Sequence, residues 1–384
     1  MGAFEIIFWG AIGISVYTYL FYPLILHFIA RLIKPKKVKV GIQPYVTTVT
    51  IIIAAYDKEK AIEKRIQNLL SLCYPRDKVE IIVASDGSTD RTVEKTRQFE
   101  EYGVKALEFF KNRGRAAVHN DSLKIAKSDI VIFTDADTTF EKDFISKVIS
   151  SFSDPNVGCV VGNLIYESKG GCIAEMESLY YNKWELNLKE LESKLGILAN
   201  GTGACMAIRK KLFKWLDPTD DIDTTTVIDI VFQGYRVVFA KDAIAYDIPP
   251  HSIKSEFDYR IRGTSQTLMI LLRRIPIKRY FKRLLLSWSL LSHRILRYLT
   301  PYFMTTILIS NIFLLKEGLL YQIFFGMQVI FYIFAIFGWL GEYSKIKISI
   351  ASTAFSFCVA MLGIMIGVAK GITGKAPASY KMQD

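Results

Sequence analysis

Asp135-Ala136-Asp137 places two carboxylates two residues apart directly after the apolar run Ile130–Thr134. At the end of a strand such a pair can turn both side chains into one cleft and hold a hard divalent cation through oxygen ligands. Taken alone, the pair equally suits a solvated turn or a helix cap. Two further acidic positions shift that balance. Asp57 follows the run Val46–Ala54, and Ser85-Asp86-Gly87-Ser88 follows Val79–Ala84. If these runs are strands of one parallel sheet, their carboxylates collect on one rim.

The elements needed for that sheet are legible. Val46–Ala54, Val79–Ala84, Val104–Phe110 and Ile130–Thr134 are short, apolar and rich in β-branched residues, as buried strands are. Helical spacing of Ile62, Ile66, Leu69 and Leu70 predicts a helix over 59–72, stopped at Tyr74-Pro75, and further helices are predicted over 90–102 and 115–127. This alternation predicts an α/β domain with a mainly parallel sheet, helices on both faces and ligands at the carboxyl ends of its strands. The alternation weakens after Asp137. Helix is expected over 144–152, strand over 157–166, a long amphipathic helix over 173–194, a loop at Gly201-Thr202-Gly203-Ala204, helix over 227–232 and strand over 235–240.

Beyond this domain the 384-residue chain is apolar in long blocks, and 51% of it is hydrophobic. Runs at 4–30, 299–315, 319–340 and 348–369 are each long enough to cross a bilayer at about 1.5 Å per residue. The net charge of +12 would suggest nucleic acid if it were spread over a soluble surface, but it is not. Arg31, Lys34, Lys36, Lys37 and Lys39 follow the first run, and Arg273, Arg274, Lys278, Arg279, Lys282 and Arg283 precede the second, with no acid inside either stretch. Basic residues beside membrane spans mark the cytoplasmic side and attract anionic lipid, so the excess needs no nucleic-acid partner. The five cysteines form no C-x-x-C pair and the four histidines are scattered, which argues against zinc or a disulfide framework. The chain is therefore expected to divide into an anchor at 1–33 with its N-terminus outside, a cytoplasmic domain at 45–250, amphipathic interface helices at 251–298, membrane helices at 299–369 and a tail at 370–384. Three spans after the domain put the tail outside, whereas Lys370, Lys375 and Lys381 favour the inside.

Ala54-Ala55-Tyr56-Asp57-Lys58-Glu59, Ser85-Asp86-Gly87-Ser88-Thr89-Asp90 and Asp135-Ala136-Asp137, in this order and spacing, resemble family 2 glycosyltransferases. Gly201-Thr202-Gly203-Ala204, Gly234-Tyr235-Arg236-Val237-Val238 and Ser292-His293-Arg294-Ile295-Leu296-Arg297-Tyr298 resemble landmarks of the membrane-bound polysaccharide synthases of that family, the hyaluronan and poly-N-acetylglucosamine type. Tyr17–Pro23 is similar to their first membrane segment. The resemblance implies a GT-A-like, nucleotide-sugar-binding domain and displacement at the anomeric carbon of a nucleotide diphosphate sugar, usually a UDP-sugar, with inversion. It places Tyr56, Asp57, Glu59 and Asp86 around the base and ribose, and Arg115 near the donor where the family commonly has Lys. Arg pairs with phosphate as a planar fork rather than a point charge. Asp135 is implied to contact the nucleotide or its metal, and Asp137 to ligate Mg2+ or Mn2+, which neutralises the leaving diphosphate.

An inverting transfer also needs a base for the acceptor hydroxyl. The resemblance locates an acidic pair before the Gly-Tyr-Arg-Val segment, and counting back from Gly234 reaches Ile222-Asp223, so Asp223 matches the base, with Asp221 and Asp229 as rivals. Asp90 and Asp154 suit caps or turns. Where the synthases carry Gln-Arg-x-Arg-Trp, this chain has Tyr259-Arg260-Ile261-Arg262-Gly263. Retention of Arg260 and Arg262 implies diphosphate binding, and loss of the Trp argues against repeated chain extension, since an aromatic face is the natural platform for a sugar ring. Trp184 and Tyr259 are the available substitutes, with Gly201, Thr202, Gly203 and Trp184 as expected acceptor contacts. The leading expectation is a plasma-membrane inverting glycosyltransferase that moves a sugar from a cytoplasmic donor to a membrane-associated glycan or lipid-linked acceptor, building a cell-surface or exported glycan. The competing expectations are a processive synthase with coupled export and an inactive nucleotide-binding sensor.

Overall fold

The computed structural model describes residues 2–32, 45–168, 172–250, 252–274, 277–344 and 348–376. Lys34, Lys36, Lys37, Lys39 and Lys381, which enter the charge argument, lie outside the described residues. Among the described residues the chain forms two compact units, one made of those within 2–32, 168–180 and 249–376, the other of those within 45–167 and 181–248.

The second unit is built on eight strands: β1 (Val49–Ala55), β2 (Val79–Asp86), β3 (Val104–Phe109), β4 (Ile130–Asp135), β5 (Thr139–Phe140), β6 (Val157–Tyr166), β7 (Met206–Arg209) and β8 (Arg236–Asp247). They form one sheet in the order β3-β2-β1-β4-β7-β6-β8-β5. The first four are parallel, as the alternating pattern predicts, and Ala54 of β1 lies in register with both Ala84 of β2 and Asp135 of β4. Their carboxyl ends therefore finish level. β7 runs antiparallel to β4 and β6, and β5 antiparallel to β8. Helices cover the sheet, so Ile51, Ile52 and Ile53 are buried in succession, which is why these strands read as continuous apolar runs. Phe140, Phe144 and Phe152 close the core beneath β6 and β8.

Two expectations are corrected here. β8 does not stop at residue 240 but runs to Asp247, because after an irregularity opposite Gly162/Asn163 it keeps pairing with β6 and then takes on β5. The long helix expected over 173–194 is interrupted: Cys172–Tyr180 and Leu186–Leu195 are α-helical, and Tyr181–Glu185 between them is π-helical. π-helical turns of this kind are frequent at functional sites.

The first unit is helical. Three of its helices are long and apolar enough to cross a membrane: Ala3–Leu32, Leu319–Glu342 and Ser349–Thr373. The run expected at 299–315 forms a helix, Leu296–Leu314, but it is not one of the three. Thr300, Pro301, Thr305, Thr306, Ser310 and Asn311 dilute its hydropathy. This helix continues through a π-helical segment, Leu290–Ile295, from Leu284–Ser289. Helix Ile253–Arg273 lies against Ser349–Thr373 along a seam of glycines. A Cβ at Gly363 would sit 2.9 Å from Arg260 Cβ, one at Gly367 2.8 Å from Thr264 Cβ, and one at Gly371 2.9 Å from the Ser265 carbonyl. Only hydrogen fits at these three places, and the backbones approach accordingly.

Candidate active site

The rim at the ends of β1 and β2 is stitched together by short polar side chains. Asp57 has φ +48°, the single non-glycine in the left-handed region among the described residues. Its side chain holds it there: Oδ1 accepts from the Thr89 N–H at 2.8 Å, while its own N–H donates to Ser88 Oγ at 3.1 Å. Such a conformation is tolerated by Asp when local hydrogen bonds over-determine it. The Glu59 N–H donates to Asp90 Oδ2 at 2.9 Å, and Glu59 Oε2 accepts from the Arg91 N–H at 3.2 Å. Asp90 also accepts from the Thr92 N–H, so it is the turn residue expected of it. Tyr56 stands beside Asp57, whose charge raises its phenol pKa.

Asp86 is buried, and both its oxygens are taken by backbone: Oδ1 by the Arg113 N–H at 2.8 Å, Oδ2 by the Gly114 N–H at 2.9 Å. It thereby sets the loop that delivers Arg115 to the start of helix Arg115–Ile125. Gly87, at φ +74°, lets that loop pass, since a Cβ there would meet the backbone of Lys111 and Asn112 at 2.6 Å. Arg115 forms an ion pair with Asp135.

Asp135 ends β4, Asp137 follows, and pairing of Thr139 with Tyr246 brings in Asp247 from the end of β8. Carboxylate oxygens of the three lie within 4.8 Å of one another. Asp247 accepts from the Ile248 N–H at 2.7 Å, and burial, reinforced by the charge of Asp137, pushes its pKa up to about 6. Three clustered carboxylates drawn from two strand ends form an all-oxygen donor set, which fits Mg2+ or Mn2+. Beneath them Arg65 is buried over the Phe140 ring at 4.1 Å and donates to Thr134 Oγ1 at 2.7 Å. Burial lowers its pKa to about 9, against the opposing pull of Asp247 and Asp137. Sequence reasoning missed both residues. Asp247 had a signal, an acid closing an apolar strand before Pro249-Pro250, whereas Arg65 on an amphipathic helix had none.

The loop of Gly201, Thr202 and Gly203 meets Asp223. The Gly201 N–H donates to the Asp223 carbonyl at 3.0 Å, and a Cβ on Gly203 would lie 3.5 Å from Asp223 Oδ1. Asp221 caps the π-helical turn Ile222–Thr226 through the Thr224 N–H, and desolvation, together with the neighbouring charge of Asp223, pushes its pKa up to about 7. Asp229 lies buried one turn further on, 4.0 Å from Lys214. Thr202 Oγ1 accepts from the buried Lys189 Nζ at 2.7 Å, which also donates to the Tyr181 hydroxyl at 3.0 Å. Trp184, half-buried, sits on the same π-helical turn as Tyr181.

Arg260 and Arg262 belong to the first unit, on helix Ile253–Arg273. Arg260 donates from Nε to Glu256 at 2.7 Å and pairs with Glu177 as well. Both carboxylates are buried, and their charge keeps the guanidinium protonated despite its desolvation.

A sheet whose parallel half feeds an antiparallel one, with aspartates at the ends of β4 and β8, is the architecture of GT-A glycosyltransferases. Mannosyltransferase PcManGT from Pyrobaculum calidifontis, solved with GDP-Man and Mn2+, superposes with a TM-score of 0.71 at 21% identity over 97% of this chain and 99% of its own. Residues 50–216 match the model of glycosyl transferase family 2. Over 231 residues it is 26% identical to poly-beta-1,6-N-acetyl-D-glucosamine synthase of Staphylococcus aureus, an alignment covering 59% of this chain and 56% of that protein. The Staphylococcus epidermidis protein of the same name is 25% identical over the same length. The chain thus spans just over half the length of these curated relatives.

Proposed function

We propose that this chain is an inverting, divalent-metal-dependent glycosyltransferase that moves a sugar from a nucleotide diphosphate donor, a UDP-sugar by preference, to a lipid-linked or glycan acceptor at the membrane. The observation that carries the reading is the convergence of Asp135, Asp137 and Asp247 at the strand ends of a GT-A sheet. These three would hold the metal, which when bound stabilises the negative charge of the leaving diphosphate. Asp57, Tyr56, Glu59 and the Ser85–Thr89 turn form the adjoining wall suited to base and ribose. Arg115, at the mouth, is free to exchange Asp135 for phosphate. Asp223 is the base that takes the acceptor proton, because Asp221 is committed to its cap and Asp229 is buried beside Lys214.

The soluble unit faces the cytoplasm in this reading, where nucleotide sugars are made, with the basic residues around 273–283 on anionic lipid. Addition of one or a few sugars is favoured over long-chain synthesis, because Gly263 offers no side chain and space above it is open. The test is a screen of UDP- and GDP-sugars with purified protein, reading nucleotide release and product mass. Release from no donor across the screen would support a sensor instead, and long polymer would return the chain to the processive synthases.

A further inference from the structure

Lys58 follows the strained Asp57 and is pinned by its own N–H to Thr92 Oγ1 at 2.8 Å. From there its side chain crosses the rim, and Nζ lies 2.8 Å from Asp137 Oδ2. The lysine side chain is only 17% exposed, less than the aspartate it reaches, at 40%. It also stands close enough to Asp247 for its charge to favour that carboxylate's ionised form. Arg115 meanwhile takes Asp135. Each carboxylate of the Asp135-Ala136-Asp137 turn thus carries a cation supplied by the chain itself.

We infer that Lys58 is a tethered competitor for the divalent cation, occupying Asp137 until the metal displaces it. The inference rests on the metal-holding role proposed above for the three aspartates. A metal ion bonded to Asp137 at roughly 2.0–2.6 Å and an ammonium hydrogen-bonded to the same carboxylate face repel one another across a few ångströms. One must leave. Removing the ammonium costs the ion pair, so the binding free energy of the metal is reduced by that amount, while the carboxylates stay ordered and charge-balanced without it. Lys58 therefore acts as a positioning residue that sets the metal affinity of the rim.

The test uses the full chain in detergent without nucleotide, titrated with Mn2+ and followed by the electron paramagnetic resonance signal of the free aqueous ion. Lys58→Met, which keeps the length and loses the charge, should bind Mn2+ about ten-fold more tightly than wild type, and Lys58→Arg should stay near wild type. In parallel, brief acetylation with mass-spectrometric readout should show Lys58 of the wild-type protein becoming more reactive when Mn2+ is added. Equal or weaker affinity in Lys58→Met overturns the assignment, as does constant labelling of Lys58. Should Lys58→Met not fold, the labelling decides by itself. Absence of Mn2+ binding in wild type and Lys58→Met alike would overturn the metal reading, and the inference with it. Equal binding in both would remove the role of Lys58 and leave the metal reading standing.

Discussion

Asp221 and Asp223 are separated by one residue and answer to different forces. Asp221 Oδ1 is spent on the Thr224 N–H, while the Asp223 carboxylate lies beside Gly203 and is only partly buried. Asp223→Asn should lower the rate of transfer by about 10²–10⁴-fold with nucleotide affinity unchanged, as measured by turnover and by UDP binding. If Asp221→Asn is the more damaging change, the assignment of the base fails. Asp221→Asn should instead act on stability, and its sign follows from the raised pKa. A carboxyl at 3.8 unfolded and about 7 folded binds more protons in the native state, so the wild type loses stability as pH rises between those values. Asn keeps the cap and does not titrate. The stability of the variant relative to wild type should therefore grow by a few kcal/mol from pH 4 to pH 8 in chemical denaturation, at roughly 1.4 kcal/mol for each pH unit that separates the folded and unfolded pKa. At the metal rim, Asp137→Asn should abolish Mn2+-dependent activity while thermal unfolding in the absence of metal stays close to wild type. Full turnover after exhaustive chelation of the wild type would refute the metal requirement.

At the scale of elements, what could be read in advance depended on how local its cause is. β1, β2 and β4 announce themselves because strands buried on both faces must be apolar throughout, and the acids that follow them are local turn features. Asp247 leaves a local trace, an acid before Pro249-Pro250, but its place on the rim does not, because the extension of β8 past residue 240 depends on pairing with β5 and β6, a non-local cause that no window on the sequence contains. The π-helical interruption at Tyr181–Glu185 was hidden for a related reason. Its residues, Tyr-Asn-Lys-Trp-Glu, fit an amphipathic helix well, and what favours the wider turn is the tertiary set of bonds from Asn182 to Tyr166 and from Lys189 to Tyr181 and Thr202. The loop beside the base is likewise a matter of space. A Cβ at Gly201 would lie 2.7 Å from the Asp223 carbonyl, so Gly201→Val should push Asp223 away and destabilise the soluble unit by about 1–3 kcal/mol. A melting curve and a turnover assay on the same sample check both halves of that expectation.

For the whole molecule, the arrangement proposed here puts the glycosyltransferase unit on the cytoplasmic side and limits the enzyme to short products. Replacing Gly263 with Trp, where nothing obstructs a Cβ, should lengthen the product seen by mass spectrometry if an aromatic platform is what extension lacks. Unchanged product length would point to another cause. Orientation is checked by protease protection of sealed inside-out vesicles, in which the soluble unit should be cleaved. The family match ends at residue 216, yet Asp223 and Asp247 lie beyond it, and Asp247 joins the rim only when β8 has paired with both β6 and β5. This gives synthesis on the ribosome a built-in order. The first apolar segment emerges and can reach the bilayer while the sheet is still without its eighth strand, and the carboxylate trio cannot close until residue 247 has left the exit tunnel. A chain that ends before residue 247 therefore has Asp57 and the Ser85–Thr89 turn in place without the complete carboxylate trio.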